Sequence, residues 1–124
     1  MATFSIVAVD TTTGEVGSAG GSCIAGSIII SDIHPSIGAI HTQAYYLPAN
    51  QNYAAELMDD GYSPIEIIEF LEENDVQNNP SIRQYGIVDL YSGTNYGMLY
   101  ENECSEIQGT VWYGSPNSGE LGQC

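Results

Sequence analysis

The order of patterns along this chain predicts an α+β fold, with a mostly antiparallel sheet and one helix pair. Three observations carry that expectation. Strand-like runs fill Thr3 to Leu47 and resume at Ile82. Helical patterns lie between them, from Asn52 to about Asn74. Turn residues punctuate the boundaries, and no repeat or linker divides the 124 residues, so one domain with one modest core is expected over 1–124.

Phe4, Ile6, Val7, Ala8 and Val9 are apolar on both parities, which predicts a first strand from Thr3 to Asp10 covered on both faces. Asp10 to Gly14 is turn chemistry. Val16 to Cys23 reads as the returning strand, although it is almost entirely Gly, Ser and Ala. Such a strand packs poorly by itself, so something comes close to its backbone. Either a neighbouring element or a substrate fills that role. Ala25 to Ser31 reads as a short buried strand and Asp32 to Ser36 as a loop. Ile37 to Leu47 is the third main strand, with His41, Gln43 and Tyr45 on one face and Thr42, Ala44 and Tyr46 on the other.

A short helix is expected over Asn52 to Asp60, stopped by Gly61. Ser63, Pro64 and Glu66 then spell a helix start: an N-cap, a proline at the first helical position and the acidic arm of a capping box. Ile67, Ile68 and Leu71 form the apolar stripe of that second helix. Asp75 to Ser81 is a loop, Ile82 to Tyr91 a strand, and Tyr96 to Tyr100 its partner across a turn. Gly109 to Tyr113 reads as a last short strand, and 109–124 as a divergent tail with a loop at Ser115 to Gly119.

Composition removes several functions. Arg83 is the sole Lys or Arg against sixteen acidic residues, a formal net charge of −15. Nucleic acid and anionic membrane surfaces are thereby excluded as expected partners, since both are held by Lys and Arg. The longest apolar run, Ile28-Ile29-Ile30, is far too short to cross a bilayer. His34 and His41 stand seven apart across a proline turn, which is not a zinc spacing, and no acidic cluster has EF-hand spacing. No cofactor or metal is expected. Nine tyrosines, most on strands, suit core and cross-strand pairs, and any left exposed suit protein contact or sugar stacking.

The segments TFSIVAVDTTTGEVGSAGGSC at 3–23, GAIHTQAY at 38–45, 61–75 and RQYGIVD at 83–89 follow one another as in a bacterial family, domain of unknown function 1028. The resemblance covers residues 3 to 93, weakens through Cys104 and then fades. Its fold is similar to that of the N-terminal nucleophile (Ntn) hydrolases, a four-layer αββα sandwich. This chain would complete that sandwich only in part, because one helix pair covers one sheet face. The resemblance further implies an exported protein, secreted or periplasmic, with Met1-Ala2 standing where an export signal would end. One disulfide with one leftover cysteine fits that setting, Cys23 and Cys104 being the pair and Cys124 free or joined to another chain; three reduced thiols is the alternative.

The resemblance places Thr3 where the nucleophile of an Ntn hydrolase stands. A residue-one Thr supplies both hydroxyl and amine base, which suits a chain with two His and one Arg. Ala2 would have to be removed for that chemistry, and the alternative is an ordinary strand residue. Ser22 borders the same strand end; His41 is a candidate general base and Gln43 a candidate oxyanion donor. Arg83 either makes a structural ion pair or binds a substrate carboxylate. Two functions remain open. One is an amide hydrolase acting on a small amide or peptide. The other is a non-catalytic, secreted acidic subunit that self-assembles as a homo-oligomer through sheet edges or faces. A glycan-binding module using Tyr and Asn is a third, weaker option.

Overall fold

The computed structural model describes residues 3–91, 96–99 and 117–121, the last two segments by their backbone. Its elements run β1 (Thr3–Asp10), β2 (Glu15–Ser22), β3 (Ser31–His34), β4 (Gly38–Gln43), α1 (Pro48–Asp59), α2 (Pro64–Glu73), β5 (Gln84–Asp89), β6 (Tyr96–Leu99) and β7 (Asn117–Leu121). Two antiparallel sheets result, one ordered β2-β1-β7 and the other β3-β4-β5-β6.

Alternation on β4 and β5 fixes the layers. Ile40, Tyr85 and Ile87 point to one side, where they pack with Leu57, Met58, Ile67 and Leu71 of the helices. Ala39 and Val88 point to the other side, against Val7 and Val9 of β1. Helices, second sheet and first sheet therefore stack in that order, and every residue of β4 and β5 is buried. The second helix begins as its sequence dictates. The Ser63 hydroxyl accepts from the Glu66 N–H, and the Glu66 carboxylate accepts from the Ser63 N–H at 2.8 Å.

Several expectations are corrected. Among the described residues only one face of β1 is covered: Ser5, Val7 and Val9 are buried, whereas Phe4 is 59% exposed and Ile6 and Ala8 are half-buried. Helices against that outer face, which a full αββα sandwich has, are not among the described residues. Ala25 to Ser31 is not a buried strand. Gly26 adopts φ 72°, which turns the chain into a 3-10 turn over Ser27–Ile30 and leaves Ile28 77% exposed while Ile30 is buried. The strand falls later, at β3, where a loop was expected. β4 stops at Gln43 rather than Leu47, because Ala44 and Tyr45 take positive φ. That reversal frees Pro48 to open α1 four residues ahead of the expected start, as its fixed φ allows. The tail supplies β7, which pairs with β1 in the register Ser5–Leu121 to Val9–Asn117. The strand expected over Gly109 to Tyr113 lies outside the described residues. Among the described residues no helix is long and apolar enough to cross a membrane.

Candidate functional site

The space between the two sheets changes character along its length. At one end it is apolar: Val7, Val9, Ala39 and Val88, flanked by Val16 and Leu90. Moving along β1 toward its start, the residues of the same parity are Ser5 and Thr3, paired across to Gly20 and Ser22 of β2. On the facing sheet the corresponding positions are His41 and Gln43 of β4, Gln84 of β5 and Ser31 of β3. Burying polar groups is unfavourable unless each finds a partner, so the pairing of this end is informative.

Thr3 Oγ1 lies 2.8 Å from Ser22 Oγ, joining the two outermost hydroxyls. One step inward, the buried Ser5 hydroxyl donates to Gln43 Oε1 at 3.0 Å, and Gln43 Nε2 donates to Gln84 Oε1 at 2.7 Å. The chain of bonds crosses from one sheet to the other and ends on Gln84 Nε2. That donor is buried and has no hydrogen-bond partner among the described residues. Gln84 is not among the site residues that the sequence points to. Its parity with Gln43 across the β4–β5 pair is the signal that finds it.

His41 is 1% exposed, and neither ring nitrogen has a partner among the described residues. Burial pushes its pKa down to about 4, so the imidazole is neutral at pH 7. A cavity of about 130 Å³ opens beside it, walled by Ser18 and Gly20 of β2, Ser31 of β3, and Ser27 and Ile28 of the 3-10 turn. The wall is held in place at two points. Ser18 Oγ and Ser31 Oγ meet at 2.6 Å. Gln51 of α1 donates through Nε2 to the Ile29 carbonyl at 3.0 Å and to Thr42 Oγ1 at 2.9 Å. The small residues of β2 are needed here. A Cβ on Gly20 would stand 2.7 Å from the Phe4 carbonyl oxygen. Both a neighbouring element and an open space therefore lie close to that backbone.

Thr3, Ser22, His41 and Gln43 thus share the inter-sheet layer, although His41 bonds to neither hydroxyl. Gln43 is engaged through both ends of its amide, so the donor left over at the end of the relay belongs to Gln84. Arg83 is not brought to this group. Parity turns it to the helical side, where Nε and Nη2 donate to Asp75, Nη1 to the Tyr45 carbonyl and Nη2 to Gln77 Oε1 at 2.8 Å. Asp75 also accepts from Asn50 Nδ2 and from the N–H groups of Gln77 and Asn79. Burial pushes the Asp75 carboxyl up, but Arg83 and these N–H donors outweigh it and hold the group well below the usual carboxylate range. The chain's one guanidinium fastens the 75–83 loop to the core. Of the two roles open to Arg83, the ion pair is the one its side chain makes.

His34 lies away from the cavity. Its Nδ1 is 2.7 Å from Asp59 and its Nε2 is 3.1 Å from Asp32. Burial opposes protonation there, yet the two carboxylates prevail and raise the pKa. Cys23 is exposed just beyond β2. Its expected partner Cys104 lies outside the described residues, as does Cys124. Among the described residues, no group of three or more His, Cys, Asp or Glu stands close enough to hold a metal ion.

This layering, two antiparallel sheets face to face with a helix pair on one side, is that of a known structure. The crystal structure of protein SPO2555 from Silicibacter pomeroyi, a member of the DUF1028 family, superposes with a TM-score of 0.76 at 21% identity. The match takes in 98% of this chain and 53% of that one, so this chain spans about half the length of that relative. The family model for DUF1028, a family of unknown function, matches residues 3–111. This chain belongs to that family. No curated protein matches it.

Proposed function

We propose that this chain is an exported, Ntn-type amide hydrolase whose nucleophile is Thr3 and whose substrate is a small amide or peptide. The position of Thr3 carries the reading. It opens β1 on the face turned to the second sheet, 2.8 Å from the Ser22 hydroxyl and one inward step from the Ser5–Gln43–Gln84 relay. With Thr3 as residue one, its amine takes the hydroxyl proton while Oγ1 attacks the substrate carbonyl. The carbonyl oxygen becomes an oxyanion that needs a donor, and the Gln84 Nε2–H at the far end of the relay is the one assigned to it. Collapse breaks the C–N bond and expels the substrate amine, which takes the proton from the Thr3 ammonium. Water, deprotonated by the Thr3 amine, then attacks the acyl ester, frees the acid and returns the proton to Thr3 Oγ1. The resemblance of the opening segment to the Ntn hydrolases supports this order of events.

Intact-mass analysis tests the reading. Chains beginning at Thr3 and at Ala2 are incubated with a β-lactone electrophile. The Thr3-first chain is expected to gain one acyl group on Thr3, the Ala2-first chain none. A Thr3-first chain that stays unlabelled overturns the proposal.

One observation favours a second reading, a non-catalytic secreted subunit that assembles with itself. Phe4 stands on the face of the first sheet that no described residue covers, over Gly21, with Ile6 and Ala8 half-buried beside it. Sedimentation of a homo-oligomer that Phe4→Glu dissociates would support that reading. A monomer at all concentrations would remove it.

A further inference from the structure

Edge strands of natural sheets are guarded by shortness, bulges, proline or charge, because their free N–H and C=O groups pair with any strand that reaches them. β3, an edge of the second sheet, follows that rule: it is four residues long and carries Asp32. β2, at the edge of the first sheet, does not. It is eight residues long and has neither Lys nor Pro. Its register with β1 runs unbroken from Thr3–Ser22 to Asp10–Glu15, without a bulge. Its other side has no strand partner among the described residues, and Gly17 to Gly20 are all exposed. Alternate residues there turn their N–H and C=O groups away from β1. Two large apolar side chains flank this side. Ile28 is 77% exposed at the cavity beside β2. Ile33 is 39% exposed and has the parity of Ser31, whose hydroxyl meets that of Ser18.

We propose that two copies of this chain join through the outer edge of β2, antiparallel about a two-fold axis, so that their first sheets become one. Charge selects the occupant. The chain carries a formal net charge of −15, so a second copy is repelled from most of its surface. Seven exposed acidic residues lie between Glu56 and Glu73 on the helical layer, at the far side of the stack. Between Glu15 and Asp32 there is no charged residue. A cationic partner is drawn to the helical side, whereas a second copy closes where charge is missing. Geometry selects the direction. A two-fold axis normal to the sheet pairs residues of the same face, and the middle of the strand puts Ser18 or Ala19 on that axis. The two Glu15 side chains then stand at opposite ends, roughly 20 Å apart or more, beyond two screening lengths of about 8 Å. A parallel pairing would set them side by side. Ile28 and Ile33 lie where the second copy covers them. This contact is independent of the amide-hydrolase reading and uses a surface other than the Phe4 face.

Sedimentation velocity and amide hydrogen exchange on the full chain test the contact. Wild type is expected to pass from monomer to dimer as its concentration rises. Alternate amides between Val16 and Gly21 should exchange at least tenfold more slowly in the dimer. Ala19 is exposed, and near the axis it stands opposite or diagonal to its own mate. Ala19→Glu and Ala19→Lys should each weaken the dimer at least tenfold. Mixed in equal amounts they should restore it, because unlike charges then meet across the axis. Should either variant fail to fold, exchange at the wild-type β2 amides still decides. A wild type that stays monomeric overturns the proposal. So does a monomer whose outer β2 amides are already protected, since another segment then holds the edge. So does a dimer that Phe4→Glu dissociates and Ala19→Glu leaves intact. Acylation of Thr3 is read separately by mass, so the failure of either proposal leaves the other standing.

Discussion

Mild acid should weaken this protein through one side chain, His41. Its ring is buried with neither nitrogen paired among the described residues, and burial lowers its pKa from 6.5 to about 4. The unfolded chain takes up a proton there as pH falls below about 6.5, whereas the folded chain resists until about 4. The neutral ring's contribution is therefore present above pH 6.5 and is lost as pH falls toward 4. Each unit of difference is worth about 1.4 kcal/mol, so the full loss approaches about 3 kcal/mol. Between pH 7 and pH 4.5 it amounts to about 2 kcal/mol. Urea unfolding of wild type and His41→Gln at a series of pH values measures this directly. Other titrations are common to both chains and cancel in the difference. Wild type should lose about 2 kcal/mol more than the variant over that interval. Parallel stability curves would refute the reasoning, because they would mean that the folded ring takes its proton as readily as the unfolded one.

The two histidines should separate in an NMR titration, His34 having its midpoint above 6.5 and His41 near 4. Because the His34 value is raised, its pairing with Asp59 and Asp32 stabilises most below pH 6.5 and is lost as pH rises through the folded value. His34→Gln should therefore cost more at pH 6 than at pH 8. Asp75→Ala leaves the Arg83 guanidinium buried without its carboxylate, and should lower the unfolding free energy by about 3–5 kcal/mol in urea titrations. Ser63→Ala removes the hydroxyl of the capping box and should cost about 1 kcal/mol by thermal unfolding. Gly20→Ala drives a Cβ to 2.7 Å from a backbone oxygen, and a loss of about 1–3 kcal/mol is expected in the same assay.

Local chemistry made the second helix legible from its first letters. Ser63, Pro64 and Glu66 act on one another within four residues, and the structure places each in its capping role. The hairpin of β1 and β2 was equally local, its turn bonded through Asp10 to Thr12 and Thr13. The end of β4 was not legible, since Ala44 and Tyr45 adopt positive φ that neither residue type announces. Nor was β7, whose place beside β1 depends on pairing across more than a hundred residues. The shared face of His41 and Gln43 followed from period two. What no period reveals is the opposite wall: Ser5 and Gly20 belong to another sheet, and only the packing of the two sheets makes Gln43 the middle of a relay.

The inter-sheet layer then poses a question that stability by itself does not answer. Val7, Val9, Ala39 and Val88 show that aliphatic side chains fill this space well at one end. At the other end the same registers hold Ser5, His41, Gln43 and Gln84, of which His41 and the Gln84 amide nitrogen keep polar atoms without a partner among the described residues. Each such atom is unfavourable by about 1–3 kcal/mol relative to a satisfied one. A purely structural layer would continue the valines. The polar end persists where three further features coincide: the leading hydroxyl of β1, the smallest side chains of β2 and a cavity open to solvent beside an exposed isoleucine. Buried polar groups without partners among the described residues, in the same layer as a candidate nucleophile, are a feature that functional sites share. That coincidence is the physical ground for proposing the chemistry at this end of the sheets rather than at Arg83, which is engaged by Asp75, Gln77 and the Tyr45 carbonyl.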